Sequence, residues 1–277
     1  KMRVLGQHVS AAEGSIYAAV LLESSVAAWK ALRDPASGQH YRAPEGELVC
    51  AVDPAGDGLD GDGSGFAIRR GNDVLELYER RGLSPEQHVG EALDLIGRHR
   101  QWHERVPVML DAAGDRGAAV RGAFIAHQHA NADAAKVFDV KPIQSGHKAE
   151  RDPEHYGSVR DEMCRTLLDW LQGGGSIPDD AKLKIELSRF AWIPNVTGRA
   201  KATPKDGVGG LREQLGRSPT RADLMMLLSY APKVWQPSAE DRREAKRERP
   251  RANNPWDAAD AFDPYAAGDP FVPPEDR

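Results

Sequence analysis

Two short apolar runs, LVCAVD at 48–53 and VPVMLD at 106–111, each end on an aspartate, and each consists of residues that favour buried strands. They belong to a regular alternation. After the turn-forming PAGDGLDGDGS come GFAIRR and DVLELYE, joined across Gly71 and Asn72, so the first run opens three consecutive strands. Ser84, Pro85 and Glu86 then supply a cap, a first-turn proline and an acid ahead of Val89, Leu93 and Ile96, which recur at helical spacing. After VPVMLD, GAAVRGAFIAHQ reads as a helix and KVFDVKPI as a strand. The order βββαβαβ predicts an α/β fold.

Further along, SVRDEMCRTLLDWLQ carries Val159, Met163, Leu167, Leu168 and Leu171 on one helical face and stops at three glycines. DDAKLKIELSRFAWI starts as a helix, TGRAKATPK reads as an exposed hairpin, and Ser218 with Pro219 opens a last helix, TRADLMMLLSYA. Composition divides the 277 residues into a lead-in (1–44), a body able to fold by itself (45–236) and a tail (237–277). The tail begins with the mixed-charge run DRREAKRERPR and is too rich in proline, glycine and acid to bury a core, so disorder is expected there. Its spaced aromatics Trp256, Phe262, Tyr265 and Phe271 suit docking on a partner.

No apolar run approaches the roughly 20 residues of a membrane helix, and no targeting signal is evident, so no membrane association is expected. Cys50 and Cys164 lie in apolar patterns without metal-ligand spacing, which suits buried thiols in a reducing cytosol. The net charge of −5 means that any nucleic-acid contact must come from a local basic face.

Asp53 and Asp111 end the first and fourth strands, and Asp223 lies in the first turns of the last helix. If the fourth strand lies beside the first, the two strand-end carboxylates point into one crevice, where open α/β sheets place ligands. Clustered carboxylates raise one another's pKa and persist where hard cations neutralise them, which suits magnesium or manganese. Two such ions about 4 Å apart serve phosphodiester hydrolysis without a side-chain nucleophile.

Four blocks, AVDPAGDGLDGDGSGFAIRRG, VMLDAAGDRGAAV, SVRDEMCRTLLDWLQGGGSIPDD and GRSPTRADLMMLL, occur in that order, and residues 48–230 resemble the C-terminal nuclease domain of a tailed-bacteriophage terminase large subunit. The resemblance implies a ribonuclease-H-like fold and metal-dependent cutting of double-stranded DNA during genome packaging. It also implies two Mg2+ or Mn2+ ions held by Asp53, Asp111 and Asp223, with an auxiliary acid after the first strand. Asp62 fits that place best, with Asp57 and Asp60 as competitors. No GxxxxGK[ST] phosphate loop occurs, so the nuclease half alone is expected, with residues 1–44 as the connector from an ATPase motor. The implied partners are that ATPase domain, the portal and the small terminase subunit, in the cytoplasm of an infected bacterium.

Lys201, Lys205, Arg217, Arg160 and His147 are the candidate DNA contacts, from a wider set that includes Lys148, Arg151, Arg199 and Arg212. His127 and His129 stand two apart, diverge on a helix and read as surface residues. The absence of a base-reading motif predicts cleavage with little sequence preference. A transposase-like or resolvase-like nuclease of the same fold and a non-catalytic docking module are the alternatives. An actin-like ATPase is disfavoured because the phosphate-loop glycines expected in its second half are not evident.

Overall fold

The computed structural model describes residues 2–4, 7–9, 15–56, 62–131, 133–193 and 198–231. Asp57, Asp60 and the expected tail with its four spaced aromatics lie outside the described residues. Two short strands, β1 (Met2–Val4) and β2 (Gln7–Val9), pair antiparallel with each other. Helix α1 (Ala19–Ala31) follows, then β3 (Leu48–Asp53), β4 (Ser64–Arg70), β5 (Asp73–Arg80), α2 (Pro85–His99), β6 (Val106–Asp111), α3 (Gly114–Ala130), α4 (Ala134–Val137) and β7 (Phe138–Ile143). The second half is mainly helical: α5 (Val159–Gln172), α6 (Ala181–Ser188), β8 (Trp192–Ile193), β9 (Lys201–Ala202), α7 (Leu211–Leu215) and α8 (Thr220–Ser229). No helix among the described residues is long and apolar enough to cross a membrane.

The expected βββαβαβ order is present. It forms one mixed sheet of spatial order β5-β4-β3-β6-β7, in which β3 pairs antiparallel with β4 and parallel with β6. This is the ribonuclease-H-like arrangement expected from the sequence. The pleat divides the core in two. Leu48, Cys50 and Val52 of β3, with Val106, Val108 and Leu110 of β6, pack against Val89, Ala92, Leu95 and Ile96 of α2 and Val120 and Phe124 of α3. Val49 and Ala51, with Met109, face α1, α5 and α8 instead. Asp53 has the parity of Val49 and Ala51, and Asp111 that of Met109, so both strand-end aspartates belong to the α5 and α8 side.

Helix starts follow the local chemistry. Ser84 and Gln87 form a capping box at α2, and Ser158 and Asp161 form another at α5. Asp161 also accepts the Ala202 N–H at 2.8 Å, which ties β9 to α5. Of the exposed hairpin expected at TGRAKATPK only β9 lies there; it pairs over two residues with β8, which lies upstream in the stretch read as starting helical, and Ala202 and Thr203 are buried rather than exposed.

The stretch read as a lead-in contributes to the core from Ile16 onward. Tyr17 is fully buried and donates its hydroxyl to Cys164 O at 3.0 Å; Leu22 and Val26 of α1 join the α5 and α8 core. Arg33 grips both oxygens of Asp73, at 3.1 and 2.9 Å, and His40 and Ser176 add contacts to the same carboxylate. Both cysteines are buried and free.

Helix α8 lies directly over β3 and β4, and Gly65 permits it. A Cβ built on Gly65 would stand 2.7 Å from both Leu224 Cδ1 and Thr220 Cγ2, and Gly65 is the register partner of Asp53. Gly65→Val is therefore expected to lower stability by roughly 1–3 kcal/mol through overpacking. A urea midpoint equal to that of the parent would contradict this packing.

Candidate active site

Three carboxylates converge on the α8 side of the sheet. Pro54 ends the ladder after Asp53, and the Ala55 N–H donates to Ser64 Oγ at 2.9 Å, which closes the turn back to β4. Asp111 ends β6, and its Oδ1 accepts the Ala113 N–H at 3.0 Å. Gly117 lets α3 approach this strand end, because a Cβ there would stand 2.5 Å from the Ala112 carbonyl carbon and 2.7 Å from Asp111 O. Gln144, just past β7, donates to Ala112 O at 3.0 Å and fixes the same corner from the other side.

Asp223 is delivered by α8. Its helix cannot cap itself through its N-cap residue, since that residue is Pro219 rather than the expected serine. Glu186 of α6, fully buried, caps it from a distance by accepting the Ala222 N–H at 2.9 Å and also takes Arg217 Nη1. Asp223 is 4% exposed, and its two oxygens meet two cations, Arg160 Nη1 at 2.8 Å and Lys205 Nζ at 2.7 Å. Arg160 is the deeper partner, its Cζ 5.3 Å from the centroid of the Phe190 ring. Among the described residues its Nε and Nη2 have no hydrogen-bond partner.

Burial pushes the Asp53 carboxyl up to about 8; Lys205 and Arg160 oppose that rise, and the Asp223 and Asp111 charges add to it. Asp111 is raised as well, chiefly by burial, against the pull of the Ala113 N–H. Asp223 goes the other way. Burial disfavours its charge, but Lys205 and Arg160 more than offset this and hold it below the usual carboxylate range. The lysine and arginine are raised in turn: desolvation lowers each, and the neighbouring acidic groups, Asp223 foremost, together outweigh it.

An all-carboxylate donor set suits a hard cation, and an acid forced toward neutrality by burial and like charge is one whose ionised form such a cation would stabilise. Among the described residues no three His, Cys, Asp or Glu side chains are drawn together tightly enough to share an ion. Both oxygens of Asp223 are directed to cations, Arg160 and Lys205. Asp53, Asp111 and Asp223 are the carboxylates that could hold an ion, and Asp223 would first have to give up one of its two cations.

Other candidates fall elsewhere. Asp62 accepts the Ser218 N–H at 3.1 Å and meets Arg212 at 3.3 Å, so it ties the end of the β3–β4 loop to the turn before α8 rather than joining the cluster. Arg160 and Lys205, expected to face DNA, are turned inward onto Asp223, because a buried carboxylate outcompetes solvent for a nearby cation. Arg217 is engaged by the buried Glu186. Lys201, Arg199, Lys148 and His147 are exposed, with His147 on the loop between β7 and α5. Arg151 lies over the Tyr230 ring at 3.5 Å. His127 packs against Phe138, and His129 is exposed on α3.

By sequence, neither a family model nor a curated protein matches the chain. By structure it is similar to the nuclease domain of the large terminase subunit gp2 of bacterial virus Sf6, with a TM-score of 0.60 and 20% identity over 79% of this chain and 99% of that one. A point mutant of the same domain, with manganese and beta-thujaplicinol, matches at a TM-score of 0.59 with the same identity and coverage. Another form, with calcium, matches at 0.58 and 20% identity over 79% of this chain and 100% of that one. The chain thus has the fold of a terminase nuclease domain.

The shift at Asp53 gives a pH dependence. The unfolded chain releases that proton near 3.8 and the folded chain keeps it to about 8, so the folded state binds the extra proton across this window and loses stability as pH rises through it. Asp53→Asn is neutral throughout. Without metal it is expected to melt above the parent by a margin that widens from about pH 5 to 8. A margin that stays constant across that range would refute the shift.

Proposed function

We propose that this chain is a metal-dependent DNA endonuclease, the nuclease half of a phage terminase large subunit, cutting double-stranded DNA during genome packaging. The observation that carries this reading is the convergence of Asp53, Asp111 and Asp223 on one side of the sheet, with Asp53 pushed up to about 8. The likeness to the Sf6 nuclease domain, forms of which hold manganese or calcium, supports it.

Asp53 and Asp111 would hold the metal from the strand ends, and Asp223 would complete the ligand set from α8. Two Mg2+ or Mn2+ ions bound there would activate a water and stabilise the leaving oxygen of a phosphodiester. Arg160 stays behind Asp223 as a fixed countercharge that keeps this carboxylate ionised. Lys205, with its side chain 24% exposed, is the partner able to leave Asp223. Asp62 supports the turn that starts α8 instead of acting as an auxiliary ligand.

The exposed Lys201 and His147 contact the DNA backbone without reading bases, which accounts for low sequence preference. An ATPase motor domain, the portal and the small terminase subunit are the partners this role entails, in the cytoplasm of the infected host.

Purified protein with manganese is expected to nick and linearise supercoiled plasmid and to stop on chelation. Asp53→Asn and Asp111→Asn are each expected to slow cutting by roughly 100-fold or more, the scale on which loss of a charge-stabilising group acts in a transition state. Cutting that survives the chelator, or either substitution, would sink the mechanism. Four-way junctions cut far faster than linear duplex would favour a resolvase-like enzyme.

A further inference from the structure

His88 lies on the sheet-facing side of α2 and is completely buried, though it touches none of the three carboxylates. Its ring hydrogen bonds have a definite sense. Nδ1 stands 2.7 Å from Ser84 O, and a carbonyl oxygen only accepts, so the ring proton is on Nδ1. Nε2 is then an acceptor, and 2.8 Å away it receives the Ser64 hydroxyl. The Ser64 oxygen in turn accepts the Ala55 N–H at 2.9 Å. Burial lowers the pKa of His88, which keeps the ring in the neutral form that this pattern needs.

The chain of bonds ends two residues past Asp53. Ser64 opens β4 beside the Asp53–Gly65 register pair, so His88 and Ser64 pin both feet of the β3–β4 connection to the start of α2. An apolar residue would fill the same space without a polar network to satisfy. We propose that His88 is a positioning residue that, through Ser64 and the Ala55 amide, sets the direction in which the Asp53 carboxylate meets its metal. The proposal rests on the nuclease reading and adds to it a structural strut remote from the reacting atoms. His88 does not touch substrate or metal. Its ring also packs on Phe66 at 5.9 Å, and the directional part of its effect passes through the hydrogen bonds, as with outer partners that orient metal ligands.

Three variants separate positioning from folding. His88→Phe fills the space but cannot accept from Ser64, Ser64→Ala removes the middle link, and His88→Gln retains an acceptor. Manganese-dependent plasmid cutting, calorimetric manganese binding and hydrogen exchange at the Ala55 amide are measured for each. His88→Phe and Ser64→Ala are expected to weaken manganese binding by about tenfold and to speed Ala55 exchange, with His88→Gln closer to the parent. The double variant is expected to be no worse than either single one, since both break one chain of bonds.

Unchanged manganese binding in His88→Phe and Ser64→Ala, beside a parent that cuts DNA, overturns the strut and leaves the nuclease reading intact. So does an equal loss in the Gln and Phe variants that follows melting temperature alone. A parent that cuts no DNA with manganese overturns the nuclease reading and this inference together.

Discussion

Everything at the candidate site depends on the parallel pairing of β3 with β6 in a register that matches Val52 with Leu110. Because side chains alternate along a strand, that register decides the side on which both terminal aspartates emerge. A slip of one residue in either strand would send one carboxylate to the α2 and α3 side and leave the other alone. The sheet therefore stabilises the fold and brings the acids together through the same hydrogen bonds. Its apolar residues cover both faces, and the acids occupy the positions where the apolar pattern stops.

The second constraint is charge balance. Three carboxylates and two cations share a poorly solvated space, where an unpaired charge is costly. The two cations are unequal: Arg160 lies deep beside Phe190, and Lys205 is nearer to solvent. That inequality separates holding Asp223 ionised from making it available.

The βββαβαβ order was legible because apolar periodicity and turn residues report local geometry directly. The placement of Asp53 and Asp111 at strand ends and of Asp223 in the first turn of α8 was legible for a related reason, since each interrupts or ends an apolar segment. The destinations of the cations were not. Arg160 and Lys205 look like surface charges in sequence, and only the folding of α5 and of the segment after β9 toward α8 turns them inward. Glu186 capping α8 from α6, and His88 reaching Ser64 across 24 residues, have no local signature. The packing of Tyr17 and α1 was missed because a weakly patterned apolar stretch says little about what it will cover. Asp62 was drawn toward the site by its proximity in sequence to Asp53, whereas its hydrogen bonds go to Ser218.

Helix α8 has almost no wet face: of its ten residues, every one except Arg221 is buried. A segment enclosed in this way cannot swing as a lid or loop would, because its motion would open the core it fills. Asp223 is left with its own side-chain torsions as its means of adjustment. Exchange between its partners is then a rotamer event within a static frame, on a timescale well short of loop or domain rearrangement.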